Sequence, residues 1–279
     1  MRQSAKNLSL KTLGPQAARL VSDLYEKRRT IFSLADIQTI TGLSAKGATN
    51  LASSLVRRGI ATRLKPGLFI LVPFELGHAR QYAGNPYLIA RELVRGQDYY
   101  LSHASAMDIH GMTTQPQLVI FITSTGFHRT RTILGTEFRF VRCKPEHLFG
   151  LTDEWVEKTE RVKVSDIERT VIDGLRQPKY CGGLSEVAKG FWMKHGEIDT
   201  ERLLSYALRL NVGAVLRRLG FLLELYGIEA PLELSQLQSR LTNSYDLLDP
   251  TLPREGKKLA KWRLLVNIPT DELIALRSA

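Results

Sequence analysis

Cysteine is scarce in this chain. Only Cys143 and Cys181 occur in 279 residues, far apart and outside any Cys-x-x-Cys pair or His/Cys cluster. No disulfide framework is therefore expected, and a reducing cytosol suits the composition. Long apolar runs are missing as well. With no stretch of about 18 apolar residues, no membrane-spanning helix is expected. The opening MRQSAKNLSLKTLG lacks the unbroken apolar segment of a secretory signal and reads as a short basic arm. The expectation is a cytoplasmic protein. Low-complexity tracts and fixed-period repeats are absent from the sequence too, which sets aside repeat architectures.

Acidic residues are in short supply at the start. From Met1 to Glu75 there are 12 Lys/Arg against 4 Asp/Glu, a net of +8, whereas the other 204 residues carry 27 against 24, a net of +3. Most of the total of +11 thus sits in the first quarter. A basic module joined to a nearly neutral one points to a polyanion partner for the module. The length suits about two domains, and 43% hydrophobic residues provide material for buried cores.

What is present in that first quarter is a series of helical and strand patterns. Pro15 to Arg29 predicts a helix, with Pro15 in the first turn and Ala17, Leu20, Val21 and Leu24 on one face. Ser33 followed by Asp36 reads as a capping box opening a short helix through Ile40, which Gly42 ends. Ser44 reads as a second N-cap, for a helix to Arg58 whose buried stripe is Ala48, Leu51, Ala52 and Leu55. Ile60 to Val72 is strand-like, broken by the turn Lys65-Pro66-Gly67. Helix, short helix, turn, helix and β-hairpin is the order of a winged helix.

The fold class expected is α+β: a basic arm over 1–13, a winged helix-turn-helix over 14–75, and a larger mixed α/β domain over 76–279. The outer face of the third helix carries Lys46, Thr49, Asn50, Ser53 and Arg57, with Ser44 at its start. Short polar side chains can bond base edges in a major groove, and flanking cations can meet phosphate or guanine. Arg63 and Lys65 beside the hairpin turn, Arg28 and Arg29 after the first helix, and Lys6 and Lys11 in the arm are further candidate phosphate contacts. Roughly six such contacts predict a log–log salt slope of about −5.

Beyond Pro73 the pattern is mixed. Helices are predicted over Asn85–Val94, Ser102–His110, Asp166–Arg176, Leu184–His195, Thr200–Leu210 and Val212–Tyr226, with a short one at the end. Strands are predicted over Tyr99–Ser102, Leu118–Thr123, Phe138–Cys143, Val162–Val164 and Lys261–Asn267. No catalytic set is legible. His103 and His110, seven apart on one helix, rise about 10.5 Å and cannot share a metal. Ser102 and His103 as helical neighbours would point roughly 100° apart. Asp166, Glu168 and Asp173 share one helix with Arg169, which suits a network, with Ser165 as the cap, better than a nuclease centre. Gly182-Gly183 has no Lys-Ser or Lys-Thr behind it and is no phosphate loop. The expectation is a non-enzyme with no cofactor and no metal.

Several stretches carry a family resemblance: RLKPGLFILVP from Arg63, YYLSHASAMDIHGMT over Tyr99–Thr113, VSDIERTVIDGLRQPKYCGG over Val164–Gly183, RRLGFLLE over Arg217–Glu224 and LVNIP over Leu265–Pro269. Together they span nearly the whole chain. It resembles the AbiEi-like antitoxins and transcriptional regulators of bacterial abortive-infection systems. The resemblance implies a type IV antitoxin that represses its own promoter by binding inverted repeats in double-stranded DNA. Its functional counterpart would be a nucleotidyltransferase-like toxin, with which it forms no stable complex. It would be a monomer in solution or a dimer, assembling on the repeats. A stand-alone winged-helix regulator, whose second domain senses a ligand or partner, would have the same architecture, and a DNA-processing nuclease is the reading from another class.

Overall fold

The computed structural model describes residues 13–77 and 79–278. The arm, with Lys6 and Lys11, lies outside the described residues except for Leu13. Two compact units emerge: one runs through Leu93 and takes in Thr132–Thr136, and the other takes Val94–Arg131 and the chain from Glu137 on. Among the described residues, eleven α-helices and three sheets make the chain α+β. No described helix is long and apolar enough to cross a membrane.

In the first unit, α1 (Pro15–Glu26) buries Ala17, Leu20, Val21 and Leu24. It stops at Glu26 rather than Arg29, because Arg28 takes a left-handed φ of 52°, which a helix cannot continue through. A short strand that the sequence did not announce follows, β1 (Ile31–Ser33). Ser33 then caps α2 (Leu34–Thr41), and Gly42 ends it at φ 74°. Next come α3 (Ala45–Arg57) and a hairpin of β2 (Ala61–Lys65) and β3 (Leu68–Leu71). β1 pairs antiparallel with β3, so the sheet order is β1-β3-β2, and Phe32 stacks on Phe69 at 5.7 Å across that pair. Residues 76–93 belong with this unit: the Tyr82 amide donates to Thr62 Oγ1 at 2.9 Å, and α4 (Pro86–Leu93) closes the segment.

The start of α2 carries the first testable consequence. Ser33 Oγ accepts from the Asp36 amide at 3.2 Å, and the Asp36 carboxylate accepts from the Ser33 amide at 2.7 Å and from Arg29 Nη1 at 3.0 Å. Burial works against the ionised carboxyl, but the Ser33 and Arg29 bonds outweigh it and hold Asp36 below the ordinary aspartate range. A depressed carboxyl stabilises the fold above its unfolded value and stops doing so as pH falls through the folded one. Asp36→Ala should therefore cost about 0.5–2 kcal/mol near neutrality. The variant should also lose stability less steeply than wild type below about pH 4. Equal loss in acid by urea titration would contradict this.

After β6 (Arg131–Ile133), most of which falls in the Thr132–Thr136 segment, the second unit is built on a mixed sheet with the order β7-β5-β4-β9-β8. Its strands are β4 (Tyr99–Leu101), β5 (Val119–Ser124), β7 (Thr136–Arg142), β8 (Leu151–Glu157) and β9 (Glu160–Ser165). β4 runs parallel to β9 and β5 parallel to β7, while the β4–β5 and β8–β9 pairs are antiparallel. Helices α5 (His103–Ile109), α6 (Ile167–Arg176), α7 (Leu184–Lys194), α8 (Thr200–Leu210) and α9 (Gly213–Leu225) supply a core that includes Val171, Leu175, Val187, Phe191 and Leu219. α10 (Pro231–Ser239), the strands β10 (Asp246–Leu247), β11 (Lys257–Leu259) and β12 (Leu264–Val266), and α11 (Thr270–Ala275) complete it.

The last strand departs from expectation. Lys261 to Arg263 form a turn, not strand, because Trp262 is fully buried there and Arg263 takes φ 51°. Gly220 on α9 makes room for that indole: a Cβ at this position would stand 2.1 Å from the ring.

Candidate nucleic-acid interface

The candidate interface starts from the way α3 is held. Ser44 Oγ accepts from the Gly47 amide at 3.2 Å, and Ala48, Ala52 and Leu55 are buried. At 100° per residue that stripe fixes the opposite face, where Lys46, Thr49, Asn50, Ser53 and Arg57 fall within an arc of roughly 100°. All five are exposed, and so is Ser44. Thr49 spends its hydroxyl proton on the Ala45 carbonyl at 3.0 Å, which leaves its oxygen as an acceptor only. Arg57 lies in the last helical turn, where a cation complements the helix dipole.

The hairpin brings a second group to the same place. In β2 the pairing slips between Arg63 and Lys65, so Leu64 is a bulged residue, and bulges re-aim the side chains around them. Arg63 is exposed and lines a cleft of about 320 Å3 with Thr49, Ser53 and Arg57. Its floor is apolar, from Leu34, Ala52, Val56 and Phe69, and among the described residues no carboxylate lines it. Lys46, Arg57, Arg63 and Arg28 have no ion-pair partner among the described residues.

Two of the anticipated cations are engaged elsewhere. Lys65 is half-buried and its ammonium donates to the Leu93 carbonyl at the end of α4, at 3.2 Å. Arg29 is bonded to Asp36, as described above, so it braces α2 while part of its guanidinium remains exposed. The structure thus gathers Thr49, Ser53, Arg57 and Arg63 around one cleft, keeps Lys46 and Asn50 on the same helix face, and leaves Arg28 exposed where α1 has ended. Sequence reading did not find the cleft floor. Leu34 and Phe69 come from α2 and β3, and only the folded hairpin brings them beneath α3.

The polar residues of the second unit are placed differently from their sequence reading. Ser102 is extended and His103 left-handed at φ 53°, so helical spacing does not separate them: Ser102 Oγ lies 2.9 Å from His103 Nδ1 and accepts from Thr123 Oγ1 at 2.8 Å. Ser102 makes no cap bond. Both residues are buried, and burial pushes the His103 imidazole down to about 4, so it is neutral. His110 Nε2 lies 2.6 Å from the Ser165 carbonyl.

Asp166, not Ser165, caps α6, accepting from the Arg169 amide at 2.7 Å. Ser165 instead meets Thr170 Oγ1 at 2.8 Å. Glu168 is bound by Arg202 at 2.8 Å and Asp173 by Arg169 at 3.0 Å. Among the described residues, no three His, Cys, Asp or Glu side chains gather closely enough to hold a metal ion.

The whole architecture has a solved counterpart. The chain shares its fold with the RV2827C protein of Mycobacterium tuberculosis. The two superpose with a TM-score of 0.70 over 97% of each chain, at 15% sequence identity. At that identity the likeness concerns the fold alone. No family model matches the chain, and no curated protein matches it either.

Proposed function

We propose that the chain is a DNA-binding regulator whose first unit is a winged helix. In this reading α3 lies in the major groove and the β2–β3 hairpin follows the sugar–phosphate chain. The observation that carries it is the acid-free cleft in which the polar face of α3 meets Arg63. Support also comes from the element order α1-β1-α2-α3-β2-β3 with sheet order β1-β3-β2, and from the net +8 concentrated before residue 76. Unpaired cations beside short polar side chains suit DNA better than a neutral partner. The motif blocks over Tyr99–Thr113 and Val164–Gly183 extend the proposal. The regulator is a cytoplasmic, AbiEi-like type IV antitoxin that represses its own promoter, assembling on inverted repeats. Its nucleotidyltransferase-like toxin is neutralised without a stable complex.

The test is binding of the full chain to its own upstream DNA at several salt concentrations, for wild type, Asn50→Ala and Arg63→Ala. Asn50→Ala should cost about 1–3 kcal/mol on the operator and little on random DNA. Arg63→Ala should weaken both DNAs alike and lower the salt slope by about 1. Equal loss on both DNAs for both variants would remove α3 as the reading helix. Failure of wild type to prefer its own promoter over random DNA would remove the function.

A further inference from the structure

We propose that the second unit holds a small-molecule site for a zwitterion with an apolar body, of the class of the hydrophobic and aromatic α-amino acids. The site is a cavity of about 410 Å3 on the β5 and β7 region of the second unit's sheet, walled by α5 and by the turn leading into α7. That volume falls in the usual range for small-ligand pockets, about 300–1,000 Å3. It belongs wholly to the second unit, and the proposal does not depend on the DNA reading.

The lining is mixed: Met107, Phe121 and Tyr180 form an aromatic and apolar floor, with the Phe121 and Tyr180 rings 5.2 Å apart, and Thr113, Gln115 and Gln117 add polar wall. Leu118, at the rim, is 77% exposed, an apolar side chain left in water beside an apolar floor. Two opposite charges face this space. Lys179 lies over the Tyr180 ring at 4.7 Å, and Glu186 sits in the first turn of α7. Neither has an ion-pair partner among the described residues. The other cation of the lining, Arg139, already has a carboxylate partner: its Nε and Nη2 both bind Glu137 Oε1, at 2.9 and 2.6 Å.

An anion alone would meet Lys179 but leave Glu186 opposed, and a cation alone would do the reverse. A ligand carrying both charges satisfies both, and its apolar body covers the floor. Behind that floor, His103 packs edge-on to Tyr180 at 5.1 Å and holds the ring in place. The Tyr99–Thr113 and Val164–Gly183 blocks, which the DNA-contacting surface leaves unused, both contribute to this lining.

Calorimetry and thermal shift on the full chain test the site, with L-phenylalanine as probe. The comparison ligands are 3-phenylpropionate, which lacks the ammonium, 2-phenylethylamine, which lacks the carboxylate, and glycine, which lacks the body. L-Phenylalanine should bind saturably and raise Tm by about 5 °C or more at about 100 times its Kd. Each of the other three should bind at least about tenfold more weakly. Glu186→Gln should weaken L-phenylalanine about tenfold while leaving 3-phenylpropionate unchanged or tighter, and Lys179→Met should do the same with 2-phenylethylamine spared. That crossed pattern is not produced by a general loss of folding. No saturable binding of L-phenylalanine up to about 10 mM, glycine binding as well as L-phenylalanine, or variants that weaken every ligand alike would overturn the proposal.

Discussion

The double variant Arg57→Glu/Arg63→Glu should bind the operator about 1,000-fold more weakly than wild type near 0.15 M salt. Each phosphate contact releases close to one counterion, so its loss at that salt costs about fivefold and two losses about 30-fold. Reversal adds two repulsive charges in the same cleft, which roughly doubles the effect on the logarithmic scale. Among the described residues, no carboxylate and no other cation lines the cleft. The neutral pair Arg57→Ala/Arg63→Ala should instead lower the salt slope by about 2. Lys65→Ala provides the control within the same hairpin. Its ammonium is bonded to the Leu93 carbonyl, so its removal should leave the slope nearly unchanged. Fluorescence anisotropy across a salt series reads all three. A loss below tenfold for the double glutamate variant, with the fold intact, would place the DNA on some other surface.

The contrast between Arg63 and Lys65 shows where sequence stops being informative. Which residues of α3 face outward follows from local spacing alone, because the buried Ala48, Ala52 and Leu55 fix the opposite face. Ser33 and Asp36 were legible as a capping box for the same reason, since both partners lie within one turn. Lys65 was not, because its partner is 28 residues away in sequence. β1 escaped notice since three residues are too few to show alternation, and its place beside β3 is a tertiary fact. β8 was hidden because it is the edge strand of its sheet, with only half-buried and exposed side chains such as Trp155. A half-wet edge needs little apolar patterning. The Ser102–His103 contact was excluded by assuming helical dihedrals at His103, and a single positive φ reverses that geometry.

The largest stability effect should come from Arg169, which lies in the second unit and is fully buried. Its Nε and Nη2 hold Asp173 Oδ1 at 3.1 and 3.0 Å, and Nη2 also donates to the Tyr100 hydroxyl at 3.1 Å. Tyr100 in turn donates to Asp173 Oδ2 at 2.9 Å, and burial, with Asp173 next, pushes its phenol far above the usual tyrosine range. The guanidinium carbon sits 4.2 Å over the Phe149 ring. Arg169→Met keeps much of the volume but leaves the Asp173 carboxylate buried without its cation. Breaking one side of a buried pair costs about 3–5 kcal/mol. For a unit of this size that corresponds to a fall in Tm of roughly 6–20 °C. The double variant Arg169→Met/Asp173→Leu should recover a good part of the loss, since an apolar replacement of both partners removes the orphaned charge. If the double variant is instead as unstable as the sum of the singles, the cost lies in packing against Phe149 and Tyr100 and not in the orphaned Asp173 charge.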